Sequence, residues 1–269
     1  MEELFDLSGE VAVVVGGTGV LGGAMAEGLS AAGARVAVVG RNRERGHECV
    51  QRIQADGRIA EFFLADALER SSLSTVHQAI TSAFGAPDIL VNAAGGNDSR
   101  ATVSAEQSFE SIDAGDWRAS FDLNLVAGAL VPCQEFGAAM AARGKGSIIN
   151  IASVAAHLPL SRVVAYSAAK AAVVSLTQFL AREWAPRGVR VNSITPGFFR
   201  AEQNRKLLFN RDGSPTARTS AILGHTPMAR LGEPRDLIGA CIFLASTKAS
   251  GFVTGADIRV DGGFLSQTI

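Results

Sequence analysis

The sequence predicts an α/β fold: a doubly wound sheet of seven parallel strands with helices on both faces. Three observations lead there. Short β-branched, continuously apolar runs alternate with longer alanine-rich stretches along all 269 residues. Strands that are apolar throughout need cover on both faces, and intervening helices provide the crossovers that parallel pairing requires. Glycine or small polar residues follow six of the seven runs, so one edge of the sheet collects the chemistry, and ligands of open parallel sheets sit outside the carboxyl ends of the strands. No linker, repeat or low-complexity tract interrupts the alternation, so residues 1–269 read as one domain.

The elements follow in order. Val11–Val15 is the first strand; it runs into Gly16-Gly17-Thr18-Gly19, and a helix over 20–32 follows. Gly17, Gly19 and Gly22 satisfy G-x-G-x-x-G between strand and helix. There the backbone can close on a pyrophosphate and the helix start offers unpaired N–H groups. Gly16, Thr18, Gly19, Val20 and Leu21 are the residues expected around it. The second strand, Arg35–Val39, ends at Gly40-Arg41-Asn42-Arg43 with no acid. An acid there would accept from the ribose hydroxyl of NAD, whereas an arginine accommodates a 2′-phosphate. Arg41 and Asn42 therefore favour NADP, with NAD as the alternative.

A helix over 43–55 leads to strand Ile59–Leu64 and then to Asp66-Ala67. A helix over 69–84 leads to Asp88–Val91 and Asn92-Ala93-Ala94-Gly95. Helix 116–142 precedes Ser147–Ile151, which ends near Ser153. Helix 165–185 precedes Val189–Ile194 and Thr195-Pro196-Gly197; helix 234–246 and strand Ala256–Val260 complete the set. Two stretches break the pattern, Gly95–Gly115 and Phe198–Thr226. Connections of that length commonly bind or cover ligands, so the second (about 198–226) is expected to be the substrate loop.

Composition narrows the function. The chain is 47% hydrophobic and 19% charged with net charge −1, which supports a sizeable core and argues against a nucleic-acid or anionic-membrane surface. Cys49, Cys133 and Cys241 are odd in number and lie in apolar or helical context, as buried thiols of a reducing cytosol do. The acidic start Met1–Asp6 lacks a basic, apolar signal segment, and the apolar stretch Leu123–Ala142 is broken by Pro132, Gln134 and Glu135. A cytoplasmic protein with no membrane partner is expected. The four histidines show no metal-ligand spacing, so no metal is expected.

Tyr166-Ser167-Ala168-Ala169-Lys170 carries the chemistry, with Ser153 thirteen positions before the tyrosine. Residues four apart share a helix face. A phenol titrates near ~10 in water, and a neighbouring ammonium favours the phenolate, so the pair makes a proton donor and acceptor usable near neutrality. The serine hydroxyl can hold a carbonyl oxygen.

Together these residues resemble the short-chain dehydrogenase/reductase family over nearly the whole chain. The matching elements are the glycine turn at 16–22, Asp66, Asn92-Ala93-Ala94-Gly95, Asn124, Ser153, Tyr166 with Lys170, Pro196-Gly197, and Val260-Asp261-Gly262-Gly263. The resemblance implies a Rossmann-type sheet, a nicotinamide dinucleotide and a homotetramer. It implies Tyr166 as general acid/base, Lys170 lowering its pKa and bonding the nicotinamide ribose, Ser153 on the substrate oxygen, and Asn124 holding a relay water. It also implies Asp66 at the adenine, Asn92 and its neighbours lining the adenosine ribose, and Pro196, Gly197 and Phe198 bordering the nicotinamide. The family turn T-G-x-x-x-G-x-G departs here, with Val15 for threonine and Val20 for the middle glycine.

A narrower resemblance, to D-mannonate (fructuronate) oxidoreductases and gluconate dehydrogenases, is carried by Gly95-Gly96-Asn97, Thr195-Pro196-Gly197-Phe198-Phe199 with Glu202-Gln203-Asn204-Arg205, and His225-Thr226-Pro227-Met228. It implies a polyhydroxylated carboxylate as substrate. Arg162, Arg200 or Arg205 is expected to meet the carboxylate, and Asn97, His157, Gln203 and Asn204 to read hydroxyls, beside Ser153 and Tyr166. A 3-oxoacyl thioester or a cyclic alcohol is the alternative substrate. A dinucleotide-sensing protein without turnover is the alternative of another class.

Overall fold

The computed structural model describes residues 2–200 and 208–267. At its centre is a parallel sheet in the order β3-β2-β1-β4-β5-β6-β7. Its strands are β1 Val11–Val15, β2 Arg35–Gly40, β3 Ala60–Leu64, β4 Ile89–Asn92, β5 Gly146–Ile151, β6 Val189–Pro196 and β7 Asp257–Val260. Side chains alternate across a strand, and β1 shows the consequence. Val11, Val13 and Val15 face one core, while Ala12 and Val14 face the other.

The first core is closed by helices Arg70–Phe84, Ala114–Arg143 and Val164–Trp184, which contribute Ile80, Phe136, Met140, Leu180 and Trp184. The second is closed by helices Val20–Ala31, Arg43–Ala55 and Ile238–Ala245, through Met25, Leu29, Ile53, Cys241 and Leu244. The segments Ala114–Arg143 and Val164–Arg187 are long and apolar enough to cross a membrane, yet their apolar sides pack on the sheet. Cys49, Cys133 and Cys241 are free and buried. The strand order reverses between β1 and β4, and that switch point opens a crevice at the carboxyl edge.

Three of the differences between predicted and observed elements have a clear physical reason. Strand β6 runs on to Pro196 because Thr195 and Pro196 pair with Arg259 and Val260 of β7. The Ala114–Arg143 helix widens on either side of Pro132: Val131 N–H reaches back to Val126 O and Ala138 N–H to Cys133 O. A proline removes a helix donor and crowds the preceding turn, and wider turns absorb that mismatch. The stretch 198–226 is also more than a loop. Thr216 caps a helix over Ala217–His225, and Leu208, Ile222 and Leu231 form a small core of their own.

Candidate active site

The crevice holds a cleft of about 500 Å³. At its glycine end Gly16 has φ +84°, and a Cβ there would overlap the Ala94 amide, so only glycine lets β1 and β4 close this tightly. Gly19 N–H donates to Gly16 O at 2.9 Å and Gly23 N–H to Gly19 O at 2.8 Å, which leads the turn directly into the Val20–Ala31 helix. No side chain caps that helix. The first-turn amides of Val20 and Leu21 therefore have no intrahelical acceptor and sit at the positive end of the helix dipole, where a pyrophosphate fits. Val20, which stands where the family turn has glycine, is 37% exposed and does not fill the turn.

At the other end Thr18, Arg41, Asn42, Asp66 and Ala67 line the cleft, and Arg45 joins them. Arg41 Nη1 lies 3.7 Å from Asp66 Oδ2. Asn42 Oδ1 accepts from Arg45 N–H at 2.9 Å, so this side chain starts the Arg43–Ala55 helix before it can serve a ligand. Arg45 does not stand out in the sequence. Its signal is its place in the first turn of a helix whose cap lies on the ligand edge.

Ser153 follows β5, and the first turns of the Val164–Trp184 helix carry Tyr166 and Lys170. The Ser153 hydroxyl faces the Tyr166 phenol and favours its ionised form. The four-residue spacing puts Lys170 Nζ 5.9 Å from the centre of the Tyr166 ring. Lys170 is 4% exposed and donates to Ile151 O at 2.8 Å. Opposite it, Gly95 has φ +151°, and a Cβ there would stand 3.2 Å from Nζ and 2.8 Å from Asn124 Oδ1. The missing side chain leaves the cleft open down to the lysine.

Burial lowers the Lys170 ammonium to about 8. Burial also pushes the Tyr166 phenol above its ordinary value, opposed by the neighbouring Ser153 hydroxyl. The expected lowering of the phenol is thus not seen in the chain by itself, because desolvation outweighs the favourable contacts.

Residues 10–211 match the model of the short chain dehydrogenases. The chain belongs to that family. The uncharacterized oxidoreductase UxuB of Bacillus subtilis (strain 168) is 42% identical over 271 residues, covering 98% of this chain and 97% of the relative. A structure of a proposed D-mannonate oxidoreductase from Haemophilus influenzae, with bound NAD, superposes with TM-score 0.91 at 36% identity, covering 98% and 97%. A gluconate 5-dehydrogenase from Burkholderia cenocepacia J2315, in complex with NADP and tartrate, gives 0.87 at 34%, covering 99% of each chain. The protein is an NAD(P)-dependent oxidoreductase.

Several expected site residues are engaged elsewhere in this short-chain dehydrogenase. The Asn92 side chain does not line the adenosine side: it is buried on the helix side of β4 and donates to Asn150 Oδ1 at 2.8 Å. Its neighbours Ala93, Ala94 and Gly95 do line the cleft. The Asn124 side chain accepts from Gly96 N–H at 2.9 Å and donates to Gly96 O at 2.8 Å, pinning the start of the 95–115 connection. Asn97 is exposed and bonds Thr102 Oγ1 at 2.9 Å, within its own loop.

His157 turns away from a hydroxyl-reading position; its Nε2 lies 3.1 Å from both Thr195 Oγ1 and Asp257 Oδ2. Arg162 is exposed and lies near Glu106, and Arg200 lies over the Phe209 ring at 5.0 Å. Gly197 N–H donates to Val260 O at 3.0 Å, and Phe198 lines a second cavity of about 370 Å³ beyond it. Gln203, Asn204 and Arg205 lie outside the described residues. Among the described residues no cluster of His, Cys, Asp or Glu could hold a metal ion.

Proposed function

We propose that the enzyme prefers NADP and interconverts the secondary alcohol and ketone of a small polyhydroxylated acid of the D-mannonate/fructuronate kind. One observation carries the reading: Tyr166 meets both Ser153 and Lys170, and Lys170 lies beside the bare face of Gly95, at one end of a cleft whose other end holds Arg41 and Arg45. The dinucleotide supplies the hydride donor or acceptor when bound. The glycine turn and the Val20–Ala31 helix start hold its pyrophosphate, and Arg41 with Arg45 neutralises the 2′-phosphate.

Ser153 donates to the substrate oxygen while Tyr166 Oη gives that oxygen a proton in reduction or takes one in oxidation. Positive charge brought into the cleft opposes the raised phenol value and favours that exchange. Lys170 faces the same space and orients the ribose side. Arg162 is our candidate for the substrate carboxylate, with Gln203 and Asn204 for its hydroxyls. The acid substrate class rests on the names of the mannonate and gluconate enzymes above. We further propose that residues 1–269 act as one functional unit, assembled as a homotetramer in the cytoplasm.

The test is a panel of aldonates, uronates, 3-oxoacyl thioesters and cyclic ketones with both cofactors, followed at the reduced-nicotinamide band. Turnover of a sugar acid with NADP is expected. Turnover of a thioester alone, or tight cofactor binding with no turnover of any member, would overturn the assignment.

A further inference from the structure

We propose that His157 and Asp257 form a clamp that positions the Ser153 hydroxyl for the reaction, an inference that rests on the dehydrogenase reading above. Both are positioning residues, acting through the turn that carries Ser153.

Ala152, just before the serine, is tied to the sheet by its N–H to Ile194 O at 2.8 Å. Ser153 then opens a tight turn closed by Ala156 N–H to Ser153 O at 2.9 Å and His157 N–H to Val154 O at 3.1 Å. His157 ends that turn. Its backbone is open to solvent while its imidazole is turned inward, 21% exposed. The ring reaches across β6 to Asp257 on the edge strand β7, with Nε2 at 3.1 Å from Oδ2.

The proton at Nε2 follows from its partners. A carboxylate only accepts, and the Thr195 hydroxyl already donates to Asp257 at 2.8 and 2.9 Å, so Nε2 must be the donor toward both. Ser193 Oγ also donates to Asp257 Oδ1 at 2.6 Å, from the position directly opposite in the β6–β7 register. Ser193 and Thr195 belong to the sheet and fix the carboxylate. His157 is the donor of the three that comes from outside it.

The turn is thereby held on both sides of Ser153, by Ala152 before it and by His157 after it. Ser153 Oγ itself receives only a long bond from Ala155 N–H, 3.2 Å, besides its contact with Tyr166. Its direction depends on where the turn sits. A displacement of an ångström at a reacting group can cost on the order of 10²-fold in rate.

The chain contains a single tyrosine, so phenolate absorbance reads Tyr166 alone, with no substrate required. The nearby Ser153 hydroxyl pulls the phenol downward, so loosening the turn that carries it should move the titration to higher pH. His157→Leu keeps bulk and removes the donor; His157→Gln restores an N–H at similar reach; Asp257→Asn removes the charged acceptor. Relative to wild type, His157→Leu and Asp257→Asn should titrate higher. Each should lose about tenfold in kcat with an unchanged NADP Kd. His157→Gln should recover to within about threefold of wild type, and the Leu/Asn double variant should be no worse than either single variant.

An unchanged phenol titration in His157→Leu would overturn the clamp, and so would equal losses in the Leu and Gln variants. A parallel fall in NADP affinity would make the pair a structural prop instead. A wild type that turns over nothing counts against the dehydrogenase reading, whereas the phenol titration still decides the clamp.

Discussion

The two halves of the crevice are built from different materials. At the β1–β4 end the ligand-facing groups are backbone amides, fixed by Gly16 closing on Ala94 and by an uncapped helix start. At the substrate end they are side chains on two connections that first bind within themselves and to one another. Arg100 pairs with Asp98 at 2.7 Å and Asp116 at 3.3 Å, Asn97 bonds Thr102, and Val103 N–H donates to Arg162 O at 2.9 Å. The pyrophosphate turn cannot change without moving the sheet. The substrate half can be respecified by exchanging surface side chains, and Lys170, Tyr166 and Ser153 stand at the seam between them.

The seam should give the largest effects. Tyr166→Phe removes the proton carrier and nothing from the glycine turn, so kcat should fall by ~10³-fold or more while NADP binding holds. Retained turnover would assign the proton to another group.

Lys170 sharpens the comparison through stability. Its folded pKa of about 8 lies below the ordinary 10.5, so the buried charge opposes folding at neutral pH. The unfolded chain binds the extra proton between those values, so this penalty fades as pH rises through that window. The shift corresponds to about 3 kcal/mol at neutral pH, and orphaning Ile151 O costs about 1–3. Lys170→Met should therefore abolish turnover yet leave urea stability at pH 7 within about 1 kcal/mol of wild type, or above it. A clear loss of stability would make the lysine a prop for Ile151 rather than a charge held for function.

On the cofactor side Arg41→Asp sets a carboxylate beside Asp66 where a 2′-phosphate would lie. The ratio of kcat/KM for NADP over NAD should drop by about 10- to 100-fold. An unchanged ratio would move phosphate recognition to Arg45 alone.

The same contrast explains what could be read from the sequence. Strand ends, glycines and a four-residue spacing are local features with one geometric meaning, so the parallel sheet, the phosphate turn and the grouping of Ser153, Tyr166 and Lys170 could be anticipated. Asn92 shows a signal that was present and outweighed by the motif. Ile89 and Val91 face one core and Leu90 the other, so period-two alternation already sends Asn92 inward, toward Asn150 and Thr177. His157, Asn97 and Asn124 differ in kind. Their partners, Asp257, Thr102 and Gly96, are set by tertiary approach or by the path of an irregular loop, for which the sequence has no period. The helix over Ala217–His225 escaped for the same reason, since its apolar support is a small tertiary cluster around Leu208, Ile222 and Leu231.

The smallest expected effect lies at the outer rim. Arg162 holds a left-handed backbone, φ 77°, that a side chain occupies at a cost of order 1 kcal/mol. Its carbonyl accepts from Val103 N–H, which joins the turn after Ser153 to the 95–115 connection, so the conformation is needed whatever residue stands there. An arginine in place of the easier glycine implies that its charge has a use. Arg162→Gly should therefore raise the melting temperature slightly, consistent with about 1 kcal/mol of relieved strain, while raising KM about tenfold for acidic substrates and leaving neutral polyols unaffected. Arg162→Ala should show the same KM pattern without the gain in stability. If neutral and acidic substrates suffer alike, the residue serves only the link between the two loops, and the carboxylate is met elsewhere.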